Sequence, residues 1–257
     1  MTDRRFSLAS LRHALSRRFL LKIKRATHRA NAQLIVPEGR RVLVIAPHMD
    51  DEAIPCAGTL LQLIAAGAEV HVAFVSDSSA GLQDPALAAQ LIGVRRAESR
   101  AVSDFLGFTQ IHELGFPDSQ LVRHEDAIAT RLVETLAQTK PDLVLTPFPT
   151  DAHSDHMACA SSVASAMQRA RCDGTILAYE VWTPLWPNVA VNITAEAEKK
   201  SLAIRLYASQ IADRDYAAAA LGLNRYRGLA HAVEFAEAFY RCERHEYARI
   251  SRMLDEV

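Results

Sequence analysis

The apolar run Val42-Leu43-Val44-Ile45-Ala46-Pro47 passes without a break into His48-Met49-Asp50-Asp51-Glu52. Adjacent acids and an imidazole at the mouth of a buried strand cost several kcal/mol, about the net stability of a domain, unless an ion or partner compensates them. A second junction has the same form. Leu143-Val144-Leu145-Thr146-Pro147 is followed, three residues on, by Asp151-Ala152-His153-Ser154-Asp155-His156. Two such clusters, each leaving the end of a strand, read as halves of one metal site.

The rest of the chain alternates short β runs with longer helical ones. Strands are expected at 41–46, 70–75, 111–114, 143–147, 176–181 and 189–193, and helices at 58–66, 92–106, 126–138 and 156–171. Gly107 is a suitable stop for the second of these helices. Past Thr194 the composition turns helical, with an Ala-rich stretch at 217–220. The fold class is therefore α/β: a doubly wound, mostly parallel sheet, Rossmann-like, with helices on both faces and a helical C-terminal region. In the common order 3-2-1-4-5 the first and fourth strands are neighbours, and ligands bind beyond their carboxyl ends. That order brings the two clusters together across about a hundred residues of sequence. No Gly-x-Gly-x-x-Gly follows the first strand, which argues against a dinucleotide cofactor and a nucleotide-binding oxidoreductase.

Cys56, Cys159, Cys172 and Cys242 lie far apart without a CxxC pair, so neither a disulfide framework nor a thiolate zinc site is expected, and the reading is cytoplasmic. No run is long and apolar enough to cross a bilayer. Charge is uneven: residues 1–41 hold eleven Lys and Arg against Asp3 and Glu38, in a chain whose net charge is −1. Leu8, Leu11, Leu15, Phe19, Ile23, Ala26 and Ala30 recur at helical spacing. Residues 1–36 thus read as a basic amphipathic helical extension ahead of a domain spanning 37–257. Such a helix either packs on the acidic body or makes peripheral contact with an anionic membrane. Nucleic acid is not expected, because the basic charge sits in one terminal segment without an aromatic platform.

His48, Asp51 and His156 offer two imidazoles and one carboxylate, the open three-ligand set of hydrolytic zinc, though iron(II) suits the same set. Asp50, beside a ligand, is placed to act as general base on a water whose pKa the ion lowers to about 7. His153, when protonated, can stabilise a tetrahedral oxyanion and protonate a leaving amine, with Asp155 holding its ring. This is equipment for amide hydrolysis. Taken alone, an Asp-Asp pair after a strand is an ordinary helix cap and a His-x-x-His an ordinary surface feature; their joint position at two strand ends favours the metal reading.

At these residues the chain resembles the LmbE-like (PIG-L) family of zinc-dependent de-N-acetylases, which act on N-acetylglucosamine-containing substrates. The family's His-Pro-Asp-Asp-Glu reads here His48-Met49-Asp50-Asp51-Glu52, and its His-x-x-His is His153 and His156. The resemblance implies His48, Asp51 and His156 as ligands, Asp50 as base and His153 as acid partner. Arg95-Arg96-Ala97-Glu98 is similar to the family's Arg-x-x-Glu helix and Phe116-Pro117-Asp118-Ser119 to its sugar-contacting loop. The C-terminal signatures are matched by Lys200 through Ser209-Gln210 and by Arg227-Gly228 through Phe239. Arg95 then meets a substrate hydroxyl or phosphate, or else pairs with Glu98; Asp118 contacts substrate, or else only forms the turn. Met49 in place of the usual proline removes a rigid φ and is expected to loosen the loop slightly. Trp182 and Trp186 either stack on a sugar or pack at the rim.

The implied function is removal of the N-acetyl group from an amino sugar or its conjugate. The alternatives are an amidase for a larger N-acyl or thiol-conjugate amide, and a non-catalytic sugar-binding protein stiffened by its metal. Retention of Asp50 argues against the last.

Overall fold

Val42, Val44 and Ala46 pack on one side of the strand Arg41–Ala46, and Leu43 and Ile45 on the other. An apolar residue at successive positions is what a parallel strand covered on both faces requires. In a computed structural model, which describes residues 32–211 and 214–254, that strand lies inside a sheet of eight. In chain order these are β1 (Gln33–Ile35), β2 (Arg41–Ala46), β3 (Glu69–Ser76), β4 (Gln110–Phe116), β5 (Leu143–Pro147), β6 (Thr175–Tyr179), β7 (Val189–Asn192) and β8 (Ala236–Cys242). Their order across the sheet is β1-β7-β8-β6-β5-β2-β3-β4. The expected adjacency holds: β2 pairs in parallel with β3 and β5, Val42 opposite Leu143 and Val44 opposite Leu145.

The helices are α1 (Ala53–Ala65), α2 (Pro85–Leu106), α3 (Glu125–Thr139), α4 (Ser154–Ala170), α5 (Ala197–Arg205), the short α6 (Ala208–Ile211), α7 (Tyr216–Leu229) and α8 (Arg244–Leu254), with a 3-10 turn at Leu121–Arg123. Leu60 and Leu63 of α1, Val102 and Leu106 of α2, Ile204 of α5 and Ala217 of α7 cover one face of the sheet. Leu132 of α3, Val163 and Met167 of α4 and Tyr247 of α8 cover the other.

Three elements differ from expectation. Helix α1 begins five residues early, because Pro55 takes its third position, where no intrahelical N–H is needed. Helix α2 begins at Pro85, where Asp84 caps it by accepting from the amides of Ala86 (2.8 Å) and Leu87 (3.3 Å). The C-terminal region is helical as expected except for β8, which inserts antiparallel between β6 and β7.

Strand β8 carries a buried charge. Lys200 Nζ lies 2.7 Å from Glu237 Oε1, and both side chains are fully buried. The same carboxylate accepts from the amides of Gly58 (2.9 Å) and Thr59 (2.7 Å), tying α5 and α1 to the sheet. Gly58 is needed for this approach, since a Cβ there would stand 2.6 Å from Ile193 Cγ2. Of the expected extension, residues 1–31 lie outside the described residues, and Gln33–Ile35 pairs with β7 as an edge strand, so the helical reading does not reach those three positions.

Candidate metal centre and active site

Because β2 and β5 are neighbours, the turns leaving their carboxyl ends meet. Asp51 Oδ2 lies 3.2 Å from His48 Nδ1 and 3.1 Å from His156 Nε2. One possible ligand atom from each of the three lies within 4.8 Å of the others. His156 is fully buried, yet neither ring nitrogen makes a hydrogen bond among the described residues. A buried imidazole left beside a carboxylate oxygen without a hydrogen bond is costly unless a cation sits between them. The trio therefore fits a divalent transition ion.

His48, His153 and Asp155 form a second trio within the same limit. It is the poorer cage. The Asp155 carboxylate already accepts from the amides of Ser119 (2.7 Å) and Leu121 (3.2 Å), and His153 Nδ1 accepts from the amide of Asp155 (3.2 Å).

That last contact changes how His153 is held. Its ring is fixed by the backbone of Asp155, while the Asp155 carboxylate turns to His48 Nε2 at 3.2 Å. The expectation that the carboxylate steadies His153 is corrected: residue 155 lies in the first turn of α4, where its amide faces the ring and its side chain faces β2. With Nδ1 accepting, neutral His153 carries its proton on Nε2. Burial, then the charges of His48 and His156, lower its pKa, which favours the neutral ring.

Asp151, unassigned from the sequence, stands behind His156. Its Oδ1 lies 3.7 Å from His156 Nδ1 and accepts from the amide of His153 (3.1 Å); its Oδ2 accepts from the amides of Val181 (3.3 Å) and Trp182 (3.0 Å). A carboxylate two residues before one histidine and five before the next was the available signal. Asp118, expected at the substrate, is 5% exposed and faces inward. Its Oδ2 accepts from the amide of Ala80 (2.7 Å), and Oδ1 lies 3.4 Å from His48 Nε2. Burial alone would raise its pKa, but His48 and these bonds bring it down to about 2.

Arg95 is also turned inward. Nη1 donates to the carbonyl of Ser78 (2.8 Å) and Nη2 to Gln210 Oε1 (2.7 Å), while Glu98 accepts from the amide (2.8 Å) and hydroxyl (2.7 Å) of Ser209. The Arg95–Glu98 pair considered above is thus replaced by two separate grips on α6. Gln210 Nε2 in turn donates to the carbonyl of Met49 (3.0 Å), and the Met49 amide, which a proline would lack, donates to Ser78 Oγ (3.0 Å). The loop expected to be loosened is tied on both sides of Met49.

Asp50 is held at φ 137°, a conformation that favours glycine. Its carboxyl is pushed well above the usual aspartate range by burial and then by the charge of Asp51. Glu52 is fully buried; Tyr207 Oη donates to its Oε1 (2.6 Å) and the Asp50 amide to its Oε2 (3.2 Å), and burial raises its pKa to about 7. Burial opposes charge on His156, but Asp51's charge and the contacts with Asp151 and Asp51 raise its pKa to about 9. His48 is raised for similar reasons: burial is outweighed by Asp118, Asp155 and Asp51.

The model of the PIG-L family, GlcNAc-PI de-N-acetylase, matches residues 43–167, which contain both clusters. Diacetylchitobiose deacetylase of Thermococcus kodakarensis is 30% identical over 188 residues, 66% of this chain and 70% of that protein. N,N'-diacetylchitobiose deacetylase from Pyrococcus horikoshii superposes with a TM-score of 0.71 at 25% identity, covering 90% of this chain and 94% of the other. A conserved protein of Thermus thermophilus superposes with a TM-score of 0.67 at 26% identity, covering 78% and 93%. With its crevice, its converging histidines and acid, and these likenesses in accord, the chain belongs to the PIG-L family of de-N-acetylases.

Proposed function

We propose that this protein removes the N-acetyl group from an amino sugar of the N-acetylglucosamine type, or from its conjugate. The observation that carries this is the convergence of Asp51 with His48 and His156 beside an acid, Asp50, that holds its proton more tightly than an ordinary aspartate. His48, Asp51 and His156 would hold the ion, zinc by the chemistry of the set, with iron(II) as the other candidate. When bound, such an ion supplies Lewis acidity, polarising the amide carbonyl and lowering the pKa of water.

The chain's own residues do the rest. Asp50 accepts the proton of the attacking water. His153, its Nδ1 occupied by the Asp155 amide, donates a hydrogen bond from Nε2 to the developing oxyanion, and Asp50 passes the proton it took from water to the departing amine. Asp155 and Asp118 orient His48 from behind, and Asp151 orients His156. Arg95 and Gln210 fix the peptide that carries Asp50. The test is acetate release from N-acetylglucosamine and its glycosides, with and without a chelator; hydrolysis indifferent to chelation rejects the mechanism.

Among the described residues no helix is long and apolar enough to cross a membrane. The proposed peripheral contact therefore rests on the basic residues before position 32, in a protein read as cytoplasmic. Removing residues 1–31, which spares β1, is expected to abolish sedimentation with anionic vesicles while sparing acetate release. Undiminished sedimentation rejects the contact.

A further inference from the structure

Beside the catalytic turn lies a cavity of about 180 Å³. Ile54 and Pro55 from the first turn of α1, Val181 and Trp182 after β6, and Tyr216 and Leu223 of α7 form its walls. Trp182 joins its wall to His153. That ring is 44% exposed and stacks on His153 with centroids 6.4 Å apart and planes at 26°. Tyr216 meets it edge-on at 6.1 Å, and the Arg214 guanidinium lies 5.7 Å over its face.

One polar group in this wall is unmatched. Asn224 lines the cavity and is 5% exposed, and its Oδ1 has no hydrogen-bond partner among the described residues. Glu180 also lines it, but its carboxylate is held by Arg227 and by the amide of Leu185. A buried carbonyl oxygen without a partner is unfavourable until a hydrogen-bond donor meets it. Water is a poor candidate, since a stable buried water needs two to four polar partners and these walls are mostly apolar.

The oxygens at C1 and C3 of the acetylated amino sugar both flank the amide-bearing carbon, and in a glycoside it is the C1 oxygen that carries the further group. In a 2-acetamido sugar the amide nitrogen and the anomeric oxygen sit on adjacent carbons, so a group on that oxygen lies a few ångströms from the leaving nitrogen. His153, the hydrogen-bond donor to the amide under attack in the function proposed above, is the residue that Trp182 stacks on. We propose that this cavity is an aglycone subsite: it takes an alkyl or aryl group attached at C1 of the amino sugar and bearing one hydrogen-bonding group for Asn224. At an interior packing density of about 0.75 the volume suits roughly six to eight heavy atoms. The subsite rests on the deacetylase reading and narrows its substrates to glycosides with a compact apolar aglycone.

The test compares methyl and hexyl glycosides of N-acetylglucosamine, with methyl N-hexanoylglucosaminide as the acyl counterpart. Each buried methylene is worth up to about a fourfold gain. The hexyl glycoside is expected to exceed the methyl glycoside at least tenfold in kcat/KM, chiefly through KM. Leu223→Phe, which fills the cavity, is expected to bring that ratio to within twofold; Ala219→Phe, at an exposed position on the rim, provides a second obstruction should the first impair folding. Equal kcat/KM for the two glycosides, or a gain confined to the N-hexanoyl compound, overturns the assignment. If no compound releases acetate, the functional reading fails, and the cavity is judged separately by titrating the protein with 1-hexanol while following tryptophan fluorescence. A saturable change lost in Leu223→Phe or Ala219→Phe supports the cavity as a binding site, and a flat titration overturns it.

Discussion

His48 stands between two carboxylates: Nδ1 is 3.2 Å from Asp51 Oδ2, and Nε2 is 3.2 Å from Asp155 Oδ2. In the proposed site the first carboxylate would share the ion with His48, and the second would hold the ring's orientation toward it. A carboxylate behind a metal-bound histidine raises its basicity and holds its tautomer, and losing one typically weakens metal binding by about 10–100-fold. Asp155→Asn is therefore expected to lower zinc affinity within that range, measured by competition against a chromophoric chelator. Affinity equal to that of the wild type would show that the carboxylate serves only the amides of Ser119 and Leu121.

The histidines also predict how metal uptake responds to pH. Without metal, His156 titrates at about 9 and His48 well above its ordinary value. At neutral pH the ion must displace these protons, so uptake releases protons and affinity climbs as pH rises toward 9. The metal-free fold responds in the opposite direction. A histidine whose pKa is raised on folding contributes stability that is full below about 6.5, the unfolded value, and is lost as pH rises through the folded value. The gap in Tm between metal-loaded and metal-free protein should widen from pH 6.5 to 9 in differential scanning calorimetry. A gap that narrows would contradict the placement of His156 between Asp51 and Asp151.

Asp50 combines strain with its proposed role as base. At φ 137° a side chain costs of order 1–3 kcal/mol that glycine largely avoids. Asp50→Gly also removes the carboxylate repelled by Asp51. This variant is expected to gain about 1 kcal/mol, seen as a Tm increase of roughly 2–4 °C, while losing about 10²–10⁴-fold in turnover and keeping its metal. Asp50→Asn should lose turnover similarly without the backbone gain. If Asp50→Gly retained turnover, another group would have to be the base.

The pairing of β2 with β5, and hence the meeting of His48, Asp51 and His156, is legible in the sequence because each strand is apolar along its length and ends at its cluster. Periodicity and strand-end chemistry are local signals. What escapes them depends on contacts distant in sequence. Asp155 and Asp118 look like helix-start and turn residues until β2 brings His48 between them. Arg95 and Glu98 are one helical turn apart, yet each finds a stronger partner on α6, more than a hundred residues on. Strand β8 was hidden for the same reason: Ala236-Glu237-Ala238 has the composition of a helix, and an acid at its centre speaks against a buried strand until Lys200 is set beside it.

That pair supports a last prediction about stability. Glu237 and Lys200 are fully buried, and the carboxylate also holds two amides of α1, the helix that follows the turn carrying His48, Asp50 and Asp51. Removing one member of a buried pair leaves the other charge uncompensated, at a cost of about 3–5 kcal/mol. Glu237→Ala is expected to lower Tm by about 6–20 °C, at the roughly 2–4 °C per kcal/mol typical of this size. Lys200→Met alone leaves a buried carboxylate that still accepts from Gly58 and Thr59, so it should cost less. The double variant Lys200→Met, Glu237→Leu removes both charges and should recover part of the loss, but not all, since the two amides keep no acceptor. Thermal unfolding of the three variants with metal bound distinguishes these cases. Equal losses in Glu237→Ala and Lys200→Met would mean that the ion pair alone, and not its grip on α1, holds this corner of the sheet.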